Sequence, residues 1–266
     1  MATYDSVPRN VPLLEVRALQ RSFYGVRALD GVDLVVEAGT ITGLIGPNGA
    51  GKTTLFHCVS GLIPPEGGRV LFDGRDVTGW RADRVTQAGL VRTFQIARGF
   101  PRLTVLENLL LYGDGQPGES LARAIARPAA VRRREAALTE RALAVAQRLN
   151  LTRVIDDPAS DLSGGQKKLL ELGRALMTDP KLILLDEPIA GVNPTLAREI
   201  AEHLHALRAE GMTFLIIEHH LDLIARLCRP VIVMAEGRHL AEGAFAEIAG
   251  DPRVQEAYMG RRRWAS

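Results

Sequence analysis

The chain has 266 residues, 33 of them basic and 31 acidic, and its formal net charge of +2 gives no overall field directed at nucleic acid or at a membrane surface. Its composition, 46% apolar and 24% charged, is ordinary for a globular protein with a sizeable core. The two cysteines exclude a disulfide framework and suit a reducing cytoplasm. No secretion signal begins the sequence, and no apolar run reaches the ~18 residues that span a bilayer. A role at a membrane would therefore require docking on a separate membrane subunit.

The spacing of apolar residues and glycines predicts alternating strands and helices. In the first part of the chain we expect a flexible N-terminus over 1–12, strands over 14–18, 32–36 and 41–45, a glycine-rich loop, a helix from 52 to about 60, and a strand over 69–72. In the last part we expect strands over 182–186 and 213–217, then a closing strand pair at 232–234 with turns at Gly237 and Gly243. Helices are expected from about 194 and over 245–249. This order predicts an α/β core.

The middle of the chain, from about residue 96 to 165, is predicted to be a mostly helical insertion. Thr104 and Glu107 have capping-box spacing, so a helix begins there, and apolar residues recur at helical spacing between 138 and 149. The basic cluster in this region has two interpretations, a solvated helical face or a surface that approaches lipid headgroups or a membrane subunit. Its members are Arg123, Arg127 and Arg132 to Arg134.

The strand over 41–45 leads directly into the phosphate-binding pattern G-x-x-x-x-G-K-[ST]. Its glycines let successive backbone N–H groups curve around an anion, and the following helix N-terminus adds about half a positive charge. Lys52 is expected to reach the β- and γ-phosphates of ATP, and the Thr53 hydroxyl to bind Mg²⁺. The alternative is a glycine turn before a buried helix. The predicted nucleotide-binding residues here are Gly46, Pro47, Asn48, Gly49, Ala50, Gly51, Lys52, Thr53 and Thr54.

Two carboxylates follow one another at the end of the apolar strand over 182–186. Ligands of α/β proteins bind at the carboxyl edge of the sheet, so Asp186 is predicted to hold Mg²⁺ directly or through water. Glu187 points differently and is predicted to orient and deprotonate the attacking water. The alternative role for either carboxylate is a helix-cap acceptor, although Pro188 argues against a helix continuing from this point.

A second glycine-containing segment reads Leu162-Ser163-Gly164-Gly165-Gln166. Ser163 and Gln166 have capping-box spacing, so a helix is predicted to begin there. Such an N-terminus is also a second anion site, and one ATP cannot easily use both sites within one chain.

These three motifs, in their order along the chain (residues 46–54, 162–166 and 182–187), resemble those of the nucleotide-binding subunits of ABC transporters, and the resemblance covers about residues 13 to 260. It implies an α/β P-loop NTPase (RecA-like) core with a small antiparallel β subdomain and an inserted helical subdomain. The core is assigned to residues 13–95 and 166–266, and the helical signature subdomain to 96–165. ATP and Mg²⁺ are the implied cofactors.

The resemblance assigns further roles that spacing alone does not. Subunits of this family pack head to tail, so Ser163, Gly164, Gly165 and Gln166 would act in trans on the γ-phosphate held by the other subunit. Gln95 resembles the family's glutamine that senses Mg²⁺ and is assigned as a catalytic and metal-binding residue.

Three more positions are assigned by the same resemblance. His219 resembles the catalytic histidine that contacts the γ-phosphate, with His220 as its rival. Phe23 resembles the aromatic residue that stacks on adenine, with Tyr24 as its rival. Asn193 stands where most members carry Asp, and it is also a good helix N-cap before a proline.

Within the family, the chain resembles ATPase subunits of branched-chain amino-acid importers. This likeness is carried by segments 92–95, 100–108, 190–194, 217–219 and 251–260. It implies a peripheral protein on the cytoplasmic face of the inner or plasma membrane. Its partners would be two membrane permease subunits, a second ATPase subunit (itself or a paralogue) and, indirectly, a periplasmic or extracellular solute-binding protein, with no nucleic acid. The alternatives are an ATPase of a lipid or lipopolysaccharide exporter, or a soluble ABC ATPase acting on ribosomes or DNA.

Overall fold

The computed structural model describes residues 12–93, 100–113 and 128–259. Gln95 and the predicted flexible N-terminus, except Pro12, lie outside these ranges. The strands are β1 (Pro12–Phe23), β2 (Val26–Glu37), β3 (Ile41–Ile45), β4 (Gly67–Phe72), β5 (Arg75–Asp76), β6 (Leu90–Arg92), β7 (Leu182–Asp186), β8 (Thr213–Ile217), β9 (Val231–Ala235) and β10 (Arg238–Gly243). The helices are α1 (Lys52–Val59), α2 (Ala82–Gln87), α3 (Val105–Leu110), α4 (Pro128–Arg148), α5 (Gly164–Met177), α6 (Pro194–Ala209), α7 (Leu221–Leu227), α8 (Phe245–Ala249) and α9 (Pro252–Met259).

The described residues form a six-stranded sheet in the order β10-β9-β3-β8-β7-β6. All neighbouring strands are parallel except β10, which runs antiparallel to β9. Strands β3, β7 and β8 are buried along their whole lengths, as expected for a parallel sheet covered on both faces. Because parallel strands end at the same edge, the segments that follow these three strands meet there.

The two faces of this sheet belong to two separate hydrophobic cores. Successive side chains of a strand point to opposite faces, so Leu182 and Leu184 of β7 lie in one core and Ile183 and Leu185 in the other. The first core contains α1 and strands β1, β2 and β4 of the antiparallel sheet, whose order is β2-β1-β4-β5. The second contains α3 to α7, so the helical insertion packs on the opposite face from the antiparallel sheet.

The first described helix of the insertion begins where the sequence predicts it. Thr104 and Glu107 form a reciprocal capping box at the start of α3. The loop before α3 is held by the fully buried Asn108, whose Nδ2 donates to three backbone carbonyls, those of Phe100, Leu103 and Thr104. Its Oδ1 accepts from Nη2 of Arg174 at 2.7 Å, which ties this loop to α5.

The predicted α/β core and its main strands are confirmed, and so are the antiparallel sheet and the helical insertion. The sequence did not predict β5, β6, α2, α7 or α9, which are two to eight residues long and carry little periodic signal. The predicted subdomain boundary between residues 165 and 166 lies inside α5, and the subdomain boundaries remain a prediction. Within the described ranges, no helix is both long and apolar enough to cross a membrane.

Candidate functional site

The glycine-rich loop after β3 has a backbone that only glycine tolerates at two positions. Gly46 has φ 150°, and a Cβ there would lie 2.1 Å from the carbonyl oxygen of Met234. Gly51 has φ 96°, and its Cβ would lie 2.3 Å from the carbonyl oxygen of Ala28 in β2. Both contacts are far inside van der Waals distance, so the loop packs closely between β9 and β2 because these residues lack a side chain.

Helix α1 begins at Lys52, immediately after this loop, with no side-chain cap and no acidic residue in its first turn. The first backbone N–H groups of the helix are therefore available to an anion, and the helix dipole favours negative charge there. Thr53 is exposed in this first turn and Thr54 is half-buried. The arrangement is suited to binding phosphate.

The Lys52 side chain is buried and folded back over the loop. Its Nζ donates to the carbonyl oxygens of Gly46 at 2.7 Å and Pro47 at 3.1 Å. Burial lowers the pKa of Lys52, and the nearby negative charges of Glu187 and Asp186 partly offset this effect. The predicted phosphate-binding lysine therefore lies close enough to both predicted carboxylates for their charges to affect its pKa.

Asp186 ends β7 and is buried, and its carboxylate is paired with Arg92 at the end of β6. The distance from Arg92 Nη2 to Asp186 Oδ2 is 2.7 Å. The Arg92 side chain is 9% exposed and that of Asp186 is 4% exposed. The sequence alone predicts no role for Arg92. The two residues are 94 positions apart, so only the pairing of β6 with β7 brings them together.

Glu187 has φ 50°, an uncommon and strained backbone conformation for a residue with a side chain. Its N–H donates to the carbonyl of Ile217 at the end of β8, at 2.9 Å. The carboxylate Oε1 lies 3.2 Å from Nε2 of His219. His220 instead takes the N-cap position of α7. The structure therefore brings together Glu187 and His219, and their assigned roles stay predictions.

Glu218 is a further residue of the site that the sequence analysis did not identify. It is 2% exposed, and its Oε1 accepts from the backbone N–H of Ile189 at 3.0 Å. Its Oε2 accepts from the N–H of His219 at 3.0 Å and from that of His220 at 3.5 Å. This one carboxylate connects the segment after Glu187 to the segment after β8. A glutamate directly after a run of four apolar residues was the available signal.

Ser163 and Gln166 form the predicted capping box at the start of α5, with N–H···O distances of 3.3 and 2.9 Å. Gly164 faces open space, whereas a Cβ on Gly165 would lie 2.4 Å from Cδ1 of Leu196 in α6. Packing therefore accounts for Gly165, while Gly164 is free to approach a ligand or partner. Within the described ranges, no hydrogen bond joins this segment to the phosphate loop.

The structure describes two of the three other predicted positions, Phe23 and Asn193. Phe23 ends β1 half-buried, with the guanidinium carbon of Arg21 5.0 Å from its ring centroid, and Tyr24 is fully exposed in the adjacent turn. Asn193 caps α6, its Oδ1 accepting from the N–H of Leu196 at 2.9 Å. Gln95 lies outside the described residues.

The donors at this edge of the sheet fit ATP with Mg²⁺. Within the described ranges, no three His, Cys, Asp or Glu residues cluster as a metal cage. The candidate donors are instead hard oxygens, the hydroxyl of Thr53 and the carboxylate of Asp186, beside a loop suited to phosphate. Mg²⁺ typically binds in this way, through one or two protein oxygens together with substrate phosphates and water.

Two protein-family models match the chain. One, described as ABC transporter, matches residues 29–190. The other, described as Branched-chain amino acid ATP-binding cassette transporter, matches residues 238–263 and so includes α8 and α9.

Individual proteins resemble the chain over nearly its whole length. The probable branched-chain amino acid transport ATP-binding protein LivG of Archaeoglobus fulgidus is 41% identical over 248 residues, covering 93% of this chain and 95% of that protein. The high-affinity branched-chain amino acid transport ATP-binding protein BraF of Pseudomonas aeruginosa is 37% identical over 250 residues, covering 94% of this chain and 98% of that protein.

Solved structures show the same likeness. A nucleotide-free ATP-binding cassette from an ABC transporter has a TM-score of 0.81 at 40% identity, covering 94% of this chain and 100% of that one. The ADP conformation of an ATP-binding cassette of an ABC transporter also has a TM-score of 0.81, at 39% identity. This match covers 94% of this chain and 99% of that one.

Proposed function

Since the chain belongs to the family of ABC transporter ATP-binding subunits, we propose that it hydrolyses ATP to drive the import of branched-chain amino acids through separate membrane subunits. Binding and hydrolysis of ATP are the activity of the family, and the transported solute is the proposed part. The observation that carries the proposal is the full-length similarity to branched-chain amino acid transport ATP-binding proteins.

The phosphate loop binds the triphosphate in this mechanism. Backbone N–H groups of Gly49, Gly51 and the first turn of α1 donate to phosphate oxygens, and the α1 dipole adds to this attraction. Lys52 exchanges its contacts with the loop carbonyls for contacts with the β- and γ-phosphates. Thr53 and Asp186 are the proposed metal-binding residues, with Gln95 as a third. Mg²⁺, when bound, neutralises charge on the phosphates.

Glu187 is the proposed general base. Its strained backbone and its contact with His219 hold the carboxylate at the sheet edge, beside the charge of Lys52. From there it orients a water molecule and accepts its proton as the water attacks the γ-phosphate. His219 fixes the carboxylate through Nε2 and contacts the γ-phosphate.

A second subunit completes the site in the proposed mechanism. Each chain carries Ser163 and Gly164 at an exposed helix N-terminus that makes no hydrogen bond to its own phosphate loop among the described residues. Head-to-tail pairing with another copy or a related ATPase brings this N-terminus to the γ-phosphate held by the partner. ATP then closes the pair, and hydrolysis reopens it.

The proposed assembly contains two membrane permease subunits and receives its solute from a periplasmic or extracellular binding protein. The ATPase subunits lie on the cytoplasmic face of the membrane, where ATP is available. The lipid-export alternative has no support among the names of the full-length relatives. A near-neutral net charge of +2 gives no support to a role on ribosomes or DNA.

The test is purification of the tagged chain from detergent-solubilised native membranes, mass spectrometry of the co-purifying proteins, and reconstitution of the complex into proteoliposomes. We expect two permease subunits, a second ATPase, and ATP-dependent uptake of labelled leucine, isoleucine or valine. A complex carrying Glu187→Gln is the control and should assemble without transport. Recovery of a lipid-export assembly, or of ribosomes without membrane proteins, would overturn the transport assignment.

A further inference from the structure

The Arg92–Asp186 ion pair lies at the centre of the candidate site and has no role in the mechanism described so far. Arg92 is the last residue of β6, and it pairs in register with Leu184 of β7. Its side chain extends two residues along β7 to the carboxylate of Asp186, where Nη2 lies 2.7 Å from Oδ2. No described residue donates a hydrogen bond to Oδ1. One carboxylate oxygen is thus bound to a guanidinium, and the other accepts no hydrogen bond from the described residues.

The guanidinium of Arg92 is fixed by its surroundings. Its central carbon lies 5.9 Å from the ring centroid of Phe56 in α1, the helix that starts at Lys52. Its Nε is buried and has no hydrogen-bond partner among the described residues. Arg92 also lines a cavity of about 180 Å³ between the core and the helical insertion, together with Tyr112 and Arg174. The arginine therefore contacts the phosphate-loop helix and the carboxylate, and it faces a cavity that the helical insertion also lines.

A buried carboxylate is costly without a compensating charge, and a guanidinium remains protonated at any physiological pH. In the absence of a metal ion, Arg92 supplies the compensating charge for Asp186. A divalent cation that approaches the same carboxylate is repelled by the guanidinium already bound to it. Phosphate oxygens on the nucleotide add ligands and negative charge, and so offset this repulsion.

We propose that Arg92 is the built-in counter-ion of Asp186, and that it raises the Mg²⁺ concentration at which nucleotide and metal bind together. The pair would hold the Asp186 carboxylate in place before nucleotide arrives, and it disfavours occupation of the site by a free cation. This inference rests on the proposed metal-binding role of Asp186. Arg92 acts through that carboxylate, so it is a positioning residue.

The test is a Mg²⁺ titration of the binding of a fluorescent ATP analogue to the full chain. Arg92→Met removes the charge, and the Mg²⁺ concentration at half-saturation should fall about five- to tenfold, the scale of a screened contact between like charges. Arg92→Lys keeps the charge and should stay within about twofold of the unsubstituted protein. Binding measured in EDTA should not change.

Arg174→Met is the matched control, since Arg174 is a buried arginine on the same cavity that bonds Asn108 rather than Asp186. It should leave the half-saturation concentration unchanged. If Arg92→Met does not fold, Arg92→Gln replaces it. An unchanged or raised Mg²⁺ requirement in the folded neutral variant would overturn the proposal.

Asp186→Asn separates this inference from the proposed function on which it rests. If that variant needs more Mg²⁺ while Arg92→Met is unaffected, Asp186 keeps its metal role and only the counter-ion inference fails. If Asp186→Asn has the same Mg²⁺ dependence as the unsubstituted protein, the metal role itself fails.

Discussion

Replacing Glu218 by Gln should uncouple catalysis from nucleotide binding. The carboxylate accepts backbone N–H groups on both oxygens, from Ile189 on one side and from His219 and His220 on the other. Glutamine has one oxygen, so its NH₂ group must oppose an N–H donor on one side. Loss of one hydrogen bond to a buried charged acceptor, with a donor left unpaired, costs about 2–3 kcal/mol of unfolding free energy.

The functional effect of Glu218→Gln follows from what the carboxylate connects. His219 contacts Glu187, so a shift of either segment moves the proposed base, and kcat should fall at least about tenfold. The phosphate loop follows β3, and among the described residues no hydrogen bond joins it to Glu218, so the KM for ATP should stay within about twofold. Urea unfolding and steady-state ATPase assays measure the two effects. Glu199→Gln, an exposed change on α6, is the control. Unfolding free energy and kcat equal to those of the control would refute the reasoning.

Three further predictions follow from the phosphate loop and the buried thiols. Lys52→Ala should weaken ATP binding roughly 10- to 100-fold by calorimetry, because a charged donor to phosphate is lost; normal affinity would contradict its role. Gly51→Ala should abolish binding, since its Cβ meets Ala28, whereas Gly39→Ala, at φ 71° in open space, should bind normally at a stability cost of ~1–2 kcal/mol. Burial raises the pKa of Cys58 to about 11 and of Cys228 to about 12, so neither thiol should react with Ellman's reagent at pH 8 before unfolding; rapid labelling of native protein would argue against this packing.

The parts of the fold and site that the sequence predicts depend on local signals. Strands β3, β7 and β8 are short apolar runs next to glycines or carboxylates, and their predicted bounds agree with the structure. The capping boxes at Thr104 and Ser163 need only a spacing of three residues, and both form. Local chemistry of this kind can be read directly from the sequence.

The parts that the sequence does not predict depend on contacts between distant segments. Arg92 and Asp186 are paired because β6 lies beside β7, and no local pattern indicates that register. Glu218 looks like an ordinary polar residue after a strand until the loop from Ile189 is seen to donate to it. The sequence favours His219 over His220, but the contact of His219 with Glu187 depends on β7 and β8 lying side by side.

In the proposed mechanism, two subunits close around ATP, and hydrolysis that depends on the Glu187 carboxylate reopens them. The mass of the Glu187→Gln protein in solution tests both steps. Light scattering gives the mass of the Glu187→Gln protein in excess ATP and Mg²⁺. The protein is measured alone and then mixed with any related ATPase recovered from the membrane preparation. A Glu187→Gln/Lys52→Ala double variant is the control. We expect a stable two-subunit species that requires ATP and is absent in the double variant. If the Glu187→Gln protein stays at the mass of one chain both alone and with the related ATPase, closure of two subunits around ATP is wrong.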